Sequence, residues 1–149
     1  MSSRYLIDTN LLVYPYDERE ADEKRERARE VLRRVAEDTS AVLPAQALSE
    51  FASVTLRKLQ PPIDPAEVYS QIENLERTFP VLPLTPAVVL EAVRGVRMHR
   101  LSYYDAQIWA AAKLGQVAVI LTEDFDSGAV LEGVEFLNPF DPGLDVAIL

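Results

Sequence analysis

Two short apolar runs, RYLI at residues 4–7 and VAVIL at residues 117–121, lie near opposite ends of the chain, and each runs into acid. Asp8 follows the first run, and Thr122-Glu123-Asp124 follows the second. Uninterrupted apolar runs this short suit strands buried on both faces, as in a parallel sheet covered by helices. A carboxylate just past such a strand is costly unless it is paired or liganded.

The chain between the two runs alternates helical and strand patterns. Asn10 is placed to cap a short helix through Leu11, Leu12 and Val13. Residues 17–34 carry mixed charge, with Glu20 and Lys24, Glu23 and Arg27, and Glu30 and Arg34 spaced as i,i+4 pairs. Ala28, Val31, Leu32 and Val35 add an apolar stripe, so this reads as a surface helix with a solvated face. A strand is expected at 41–43. Pro44 opens a helix to about 58, with Ala47, Leu48, Phe51, Val54 and Thr55 inward and Glu50 at the edge of that stripe. Pro61-Pro62 ends this stretch, and Asp64-Pro65 with Glu67 starts a helix to about 77. A strand at 81–82, a helix from Thr85-Pro86 to about 99, a helix at 103–114 and a strand at 134–137 complete the pattern. The helix at 103–114 is capped by Ser102 and stopped by Gly115. No repeat or linker interrupts the chain, so one domain over residues 1–149 is expected.

Strands alternating with helices imply an α/β fold with a mostly parallel sheet. Such sheets bind ligands beyond the carboxyl ends of their strands, where the strand order reverses. If the two apolar runs are neighbours, Asp8 and Asp124 meet there.

Composition narrows the chemistry. There is no cysteine, which removes disulfides, thiolate nucleophiles and zinc–sulfur sites. His99 is the only histidine, which argues against a His–carboxylate base pair and a multi-histidine metal site. A metal held here would have oxygen ligands, the preference of Mg²⁺ or Mn²⁺. No apolar run approaches the roughly 20 residues of a membrane span. Residues 1–5 lack the basic-then-apolar pattern of a secretory leader, so a soluble, cytoplasmic protein is expected. The formal net charge of −9 opposes phosphate binding unless the acids gather around a divalent cation.

Each acid has a structural and a functional reading. Asp8 could simply cap the following turn, but its place after a buried strand favours function. Glu50 could be an ordinary exposed helical acid or an acid needing a partner beside apolar neighbours, and the two readings are balanced. Asp105 falls three residues after Ser102, a capping-box spacing that local context favours. The same position puts a carboxylate at a helix's positive end. Asp124 and Asp126 both follow the 117–121 run, and Asp124 is preferred. His99, between Arg97 and Arg100 near a helix end, suits a dipole role or a phosphate contact better than a metal ligand. Tyr103 and Tyr104 read as packing and surface, and Trp109 as core or dimer interface.

Together these residues resemble the PIN-domain family, and within it the VapC-type toxins of toxin–antitoxin pairs. The resemblance spans nearly the whole chain. It rests on YLIDTNL at 5–11, ALSEF at 47–51, SYYDAQIWAA at 102–111 and ILTEDF at 120–125, followed by Gly128. It implies a doubly wound sheet of about five strands in the order 3-2-1-4-5. It implies Asp8, Glu50, Asp105 and Asp124 as the catalytic acids. Asp8, Asp105 and Asp124 would be metal ligands, with Asp126 as the alternative fourth acid. Asn10 and Thr122 would support them. The implied activity is Mg²⁺- or Mn²⁺-dependent cleavage of RNA, with a homodimer and a small antitoxin as partners. Arg57, Lys58, Arg94, Arg97 and Arg100 are candidate phosphate contacts on the flanks.

Two other classes remain. A phosphotransfer enzyme or receiver domain also clusters acids at strand ends. A dehalogenase-like phosphatase, however, wants an acid at position 10, where Asn10 stands, and a receiver wants a late lysine, but none follows Lys113. The other is a non-catalytic PIN-like module that binds RNA or protein.

Overall fold

The apolar run at 4–7 forms strand β1 (Tyr5–Ile7), buried at every residue. It is the central strand because both of its edges are paired in parallel. Tyr5 and Leu6 lie opposite Ala41 and Val42 of β2 (Ala41–Pro44) on one side. Tyr5, Leu6 and Ile7 lie opposite Val119, Ile120 and Leu121 of β4 (Val119–Leu121) on the other. The computed structural model describes residues 4–38 and 40–149. Residues 1–3, part of the stretch read for a leader, lie outside the described residues.

Beyond β2 the sheet continues to β3 (Val81–Leu82), and beyond β4 to β6 (Val134–Leu137), both parallel to their neighbours. A sixth strand, β5 (Val130–Leu131), pairs antiparallel with β6, giving the order β3-β2-β1-β4-β6-β5. The expected doubly wound order therefore holds, with one strand more than expected. β5 joins β6 through a tight turn in which Glu132 and Gly133 both have positive φ, 49° and 84°. The chain leaves β1 toward β2 in one direction and returns beside it as β4, so the order reverses at the carboxyl ends of β1 and β4.

Alternation along β1 feeds two cores. Tyr5 and Ile7 point to the side packed by Leu11, Val31, Leu43 and Phe51, whereas Leu6 points to Ile120, Phe136, Ala106 and Trp109. Helices α1 (Thr9–Val13), α2 (Asp22–Glu37), α3 (Ala45–Arg57) and α4 (Pro65–Thr78) supply apolar residues to the first core. Helices α5 (Pro86–His99) and α6 (Tyr103–Leu114) supply the second. Trp109 is fully buried, and its indole N–H donates to the Leu131 carbonyl at 3.2 Å. Of its two expected places, core and dimer interface, it takes the core. Gly95 of α5 faces it so closely that a Cβ there would lie 2.7 Å from the indole ring.

Several boundaries differ from expectation for local reasons. Helix α2 starts at Asp22 rather than near 17, because Tyr14–Tyr16, with Pro15, forms a separate 3₁₀ turn. Asp8, not Asn10, is the N-cap of α1: its side chain accepts from the Thr9 N–H. Ser102 precedes α6 but makes no side-chain capping bond, so the capping-box reading of Asp105 does not hold.

Candidate functional site

Asp8 stands at the reversal point because β1–β4 pairing extends to it: its N–H donates to the Leu121 carbonyl at 3.1 Å. The residue is only 8% exposed. One carboxylate oxygen accepts from the Thr9 N–H and the other from the Thr122 hydroxyl, both at 2.7 Å. Burial pushes its pKa up to about 6, and the nearby charges of Asp124 and Glu50 add to the rise. The hydrogen bonds from Thr122 and Thr9 oppose it.

Thr122 is fixed at the end of β4, 2% exposed, with its N–H on the Leu137 carbonyl at 3.0 Å. Its hydroxyl binds Asp8 and also accepts the Asp124 N–H at 3.1 Å. Asp124 lies exposed on the irregular loop that follows. Partial burial of its carboxyl raises its pKa, as do the charges of Asp105 and Glu50, while a hydrogen bond with Asp8 and the charge of Lys24 lower it. Asp126 is exposed on the same loop, and no hydrogen bond or ion pair among the described residues joins its carboxylate to the other acids.

Glu50, on α3, is held from two sides. The Thr9 hydroxyl donates to one oxygen at 3.0 Å and the Gln46 amide to the other at 2.7 Å. Gln46 in turn accepts from the buried Gln107 amide at 2.6 Å, so α1, α3 and α6 meet around this carboxylate. Asp105 occupies the first turn of α6 and is close enough to Asp124 to act on its charge. Asn10 is half-buried within α1, and its side chain makes no hydrogen bond to the acids among the described residues. The structure thus links Thr122, but not Asn10, to the acids.

Three participants escaped the sequence reading: Thr9, Gln46 and Gln107. The signal for Gln107 was a polar side chain inside the alanine-rich, buried run of α6, where an amide must find a partner. Lys24 was also missed, although its ammonium lies 3.0 Å from Glu123.

The expected flanking cations fare differently. Arg94 is engaged by Glu91 and by Glu132 at 2.7 Å. His99 lies 2.5 Å from Glu132 and edge-on to Trp109, so the structure gives it a packing and pairing role. Hydrogen bonds from His99, Arg94 and Lys113 hold Glu132 down at about 2. Arg57 donates to Ser53 at 3.1 Å, and Lys58, Arg97 and Arg100 are exposed. Tyr103 and Tyr104 meet edge-to-face at 5.4 Å and line a groove of about 730 Å³ that also reaches Glu50.

Among the described residues, no three acidic or histidine side chains stand as a ready-made cage for a metal ion. The chemistry of the donors still suits one. The donors are all oxygen, and the innermost carboxylate is buried among other acids. Mg²⁺ characteristically keeps several waters and takes only one or two carboxylates, so an open acidic crevice fits a hydrated hard cation better than a closed one.

The sequence model of the PIN domain matches residues 5–130. The chain belongs to the PIN domain family. Solved structures agree in fold. A toxin–antitoxin complex from Klebsiella pneumoniae superposes with a TM-score of 0.62 at 19% identity, covering 91% of this chain and 98% of that one. FitAcB from Neisseria gonorrhoeae gives 0.62 at 21% identity, covering 92% and 99%. A Mycobacterium tuberculosis VapC toxin that cleaves the sarcin–ricin loop gives 0.61 at 16% identity, covering 80% and 91%. No curated protein sequence matches this chain. At these identities the structural likenesses speak for the PIN fold alone.

Proposed function

We propose that this PIN-domain protein is a divalent-metal-dependent endoribonuclease and the toxin of a toxin–antitoxin pair. The observation that carries the reading is Asp8: a carboxyl buried at the switch point, raised to about 6 by that burial, and flanked by the charges of Asp124 and Glu50. Such a group is stabilised either by a proton or by a metal ion.

Asp8, Asp105 and Asp124 would hold Mg²⁺ or Mn²⁺. When bound, that ion supplies a more acidic water and steadies charge on the phosphate and leaving oxygen. Glu50, immobilised by Thr9 and Gln46, orients the attacking water. Thr122 holds Asp8 and the Asp124 backbone together. No protein nucleophile is required. Asp124 is preferred over Asp126 because its carboxyl feels the charges of Asp105 and Glu50 and bonds with Asp8.

RNA is the proposed substrate, by analogy with the sarcin–ricin loop cleaving toxin that shares the fold, and a small antitoxin the proposed partner, by analogy with the toxin–antitoxin complex that shares it. A homodimer is proposed as well. Helix α5 leaves Leu90 and Val93 72% and 54% exposed beside Val89 and Val96, an apolar stripe of the kind subunits cover. No described helix is long and apolar enough to cross a membrane, and the cytoplasm is the proposed compartment.

A non-catalytic binding module and a phosphotransfer enzyme are the other readings. The coupling of four acids at one crevice favours a nuclease over the first. Asn10 disfavours a dehalogenase-like phosphatase.

The test compares wild type with Asp8→Asn on several folded RNAs, with Mg²⁺ and with EDTA. Cleavage by wild type in Mg²⁺ alone is expected. Equal cleavage by both proteins overturns the proposed site.

A further inference from the structure

The loop that carries Asp124 forms no helix or strand between Leu121 and Val130, and its first residues are anchored from two directions. On the inner side, the Thr122 hydroxyl holds Asp8 and the Asp124 N–H. On the outer side, Glu123 is held by α2 and by the 3₁₀ turn before it. The Lys24 ammonium lies 3.0 Å from one Glu123 oxygen and 3.2 Å from the other. The Tyr14 hydroxyl donates to the same carboxylate.

Lys24 is itself seated. Its ammonium lies 4.4 Å from the centre of the Tyr14 ring and 5.4 Å from that of Phe140, and those two rings meet edge-on at 5.4 Å. Glu20, four residues back on the chain, lies 4.0 Å from it. The ammonium is therefore directed at Glu123 by aromatic faces, which attract a cation and limit its swing. The side chains of Lys24 and Glu123 are 29% and 21% exposed, so the pair is partly screened from water.

We propose that Lys24 is a positioning residue: by gripping Glu123 it fixes the turn that presents Asp124 to Asp8, and so sets the affinity of the acidic site for its divalent ion. The inference rests on the metal-dependent reading above. Without the ion pair, Glu123 keeps only the tyrosine hydroxyl. Asp124 then keeps Thr122 and the stacking of its neighbour Phe125 on Phe136 at 4.0 Å, but the turn loses its tie to α2. Residues that orient metal ligands typically change metal affinity about 10- to 100-fold when removed.

The experiment is a Mn²⁺ titration by calorimetry on the purified full chain. Wild type, Lys24→Met, Lys24→Arg, Glu123→Gln and Asp124→Asn are compared, with Lys24→Met also placed in the Asp124→Asn background. Circular dichroism confirms that each variant is folded. Lys24→Met is expected to weaken Mn²⁺ binding by about 10-fold or more, and Lys24→Arg to recover most of it. Lys24→Met is expected to have no further effect once Asp124 is Asn, because it acts through that residue. Glu123→Gln is expected to reproduce the loss with the lysine in place, and it decides the matter if Lys24→Met does not fold. Wild-type affinity in both Lys24→Met and Glu123→Gln overturns the proposal, as does an undiminished effect of Lys24→Met in the Asp124→Asn background. Failure of wild type to bind Mn²⁺ overturns the metal-dependent reading itself, which is a different result.

Discussion

At the residue scale, Asp8 is a buried carboxyl whose ionisation costs the fold. Its pKa in the folded protein is raised to about 6 from an ordinary 3.8. A raised carboxyl favours the fold only while it is protonated. That contribution is full below about pH 3.8 and is lost as pH rises through 6. A rise of that size corresponds to roughly 3 kcal/mol, an upper figure for the cost of the ionised carboxylate in the metal-free protein. Asp8→Asn is therefore expected to raise the thermal midpoint in EDTA at pH 7.5, and the advantage is expected to shrink toward pH 4.5. A variant less stable than wild type at pH 7.5 would show that the carboxylate is already neutralised. Gln107 makes a second prediction. Gln107→Leu leaves the Gln46 carbonyl oxygen in a buried site without its 2.6 Å donor. A loss of about 1–3 kcal/mol in urea unfolding is expected. Unchanged stability would mean that the amide chain behind Glu50 does not hold it.

At the element scale, packing between α5 and α6 is the tightest test of the fold. Alanine is ordinarily better than glycine within a helix by about 1 kcal/mol. Gly95→Ala, however, puts a methyl 2.7 Å from the ring of Trp109, which is fully buried and hydrogen-bonded to Leu131. The ring has little room to yield, so overpacking is expected to win, with a net loss of about 1–3 kcal/mol in denaturant midpoint analysis. A stabilised variant would contradict the close approach. The elements themselves were largely legible in the sequence. β1 and β4 announce themselves because strands buried on both faces must be apolar throughout. α4 and α5 begin where Asp64-Pro65 and Thr85-Pro86 place a cap before a first-turn proline. β5 was not legible: its two residues are only partly covered, and its pairing with β6 across a tight turn is what makes it a strand. The start of α2 was misjudged because charge spacing carries no sign of the 3₁₀ turn at Tyr14–Tyr16.

At the scale of the whole molecule, the doubly wound sheet makes distant carboxylates neighbours. Asp8 and Asp124 could be paired from the sequence because both follow buried strands, and parallel neighbours end at the same edge. Glu50 and Asp105 were harder, since a helical acid declares its direction only once the helix is docked. The hydrogen bonds behind them were hidden for the same reason: Gln46 and Gln107 belong to different helices, and Lys24 reaches Glu123 from nearly the other end of the chain. Part of the net charge of −9 is gathered at one place, where Asp8, Glu50, Asp105 and Asp124 lie near enough for their charges to act on one another. The exposed stripe on α5 carries a further expectation. Val93→Glu should convert a dimer to a monomer in sedimentation equilibrium while leaving the thermal midpoint of the monomer little changed. A dimer that persists would place the subunit contact elsewhere. The central proposal is that Asp8, Asp105 and Asp124 hold a divalent ion beside Glu50, and it is tested most directly by a crystal structure with Mn²⁺ recorded at an anomalous wavelength. The account predicts an anomalous peak within about 2.0–2.2 Å of carboxylate oxygens of Asp8 and at least one of Asp105 and Asp124. A protein that cleaves RNA with no such peak in this crevice would contradict it.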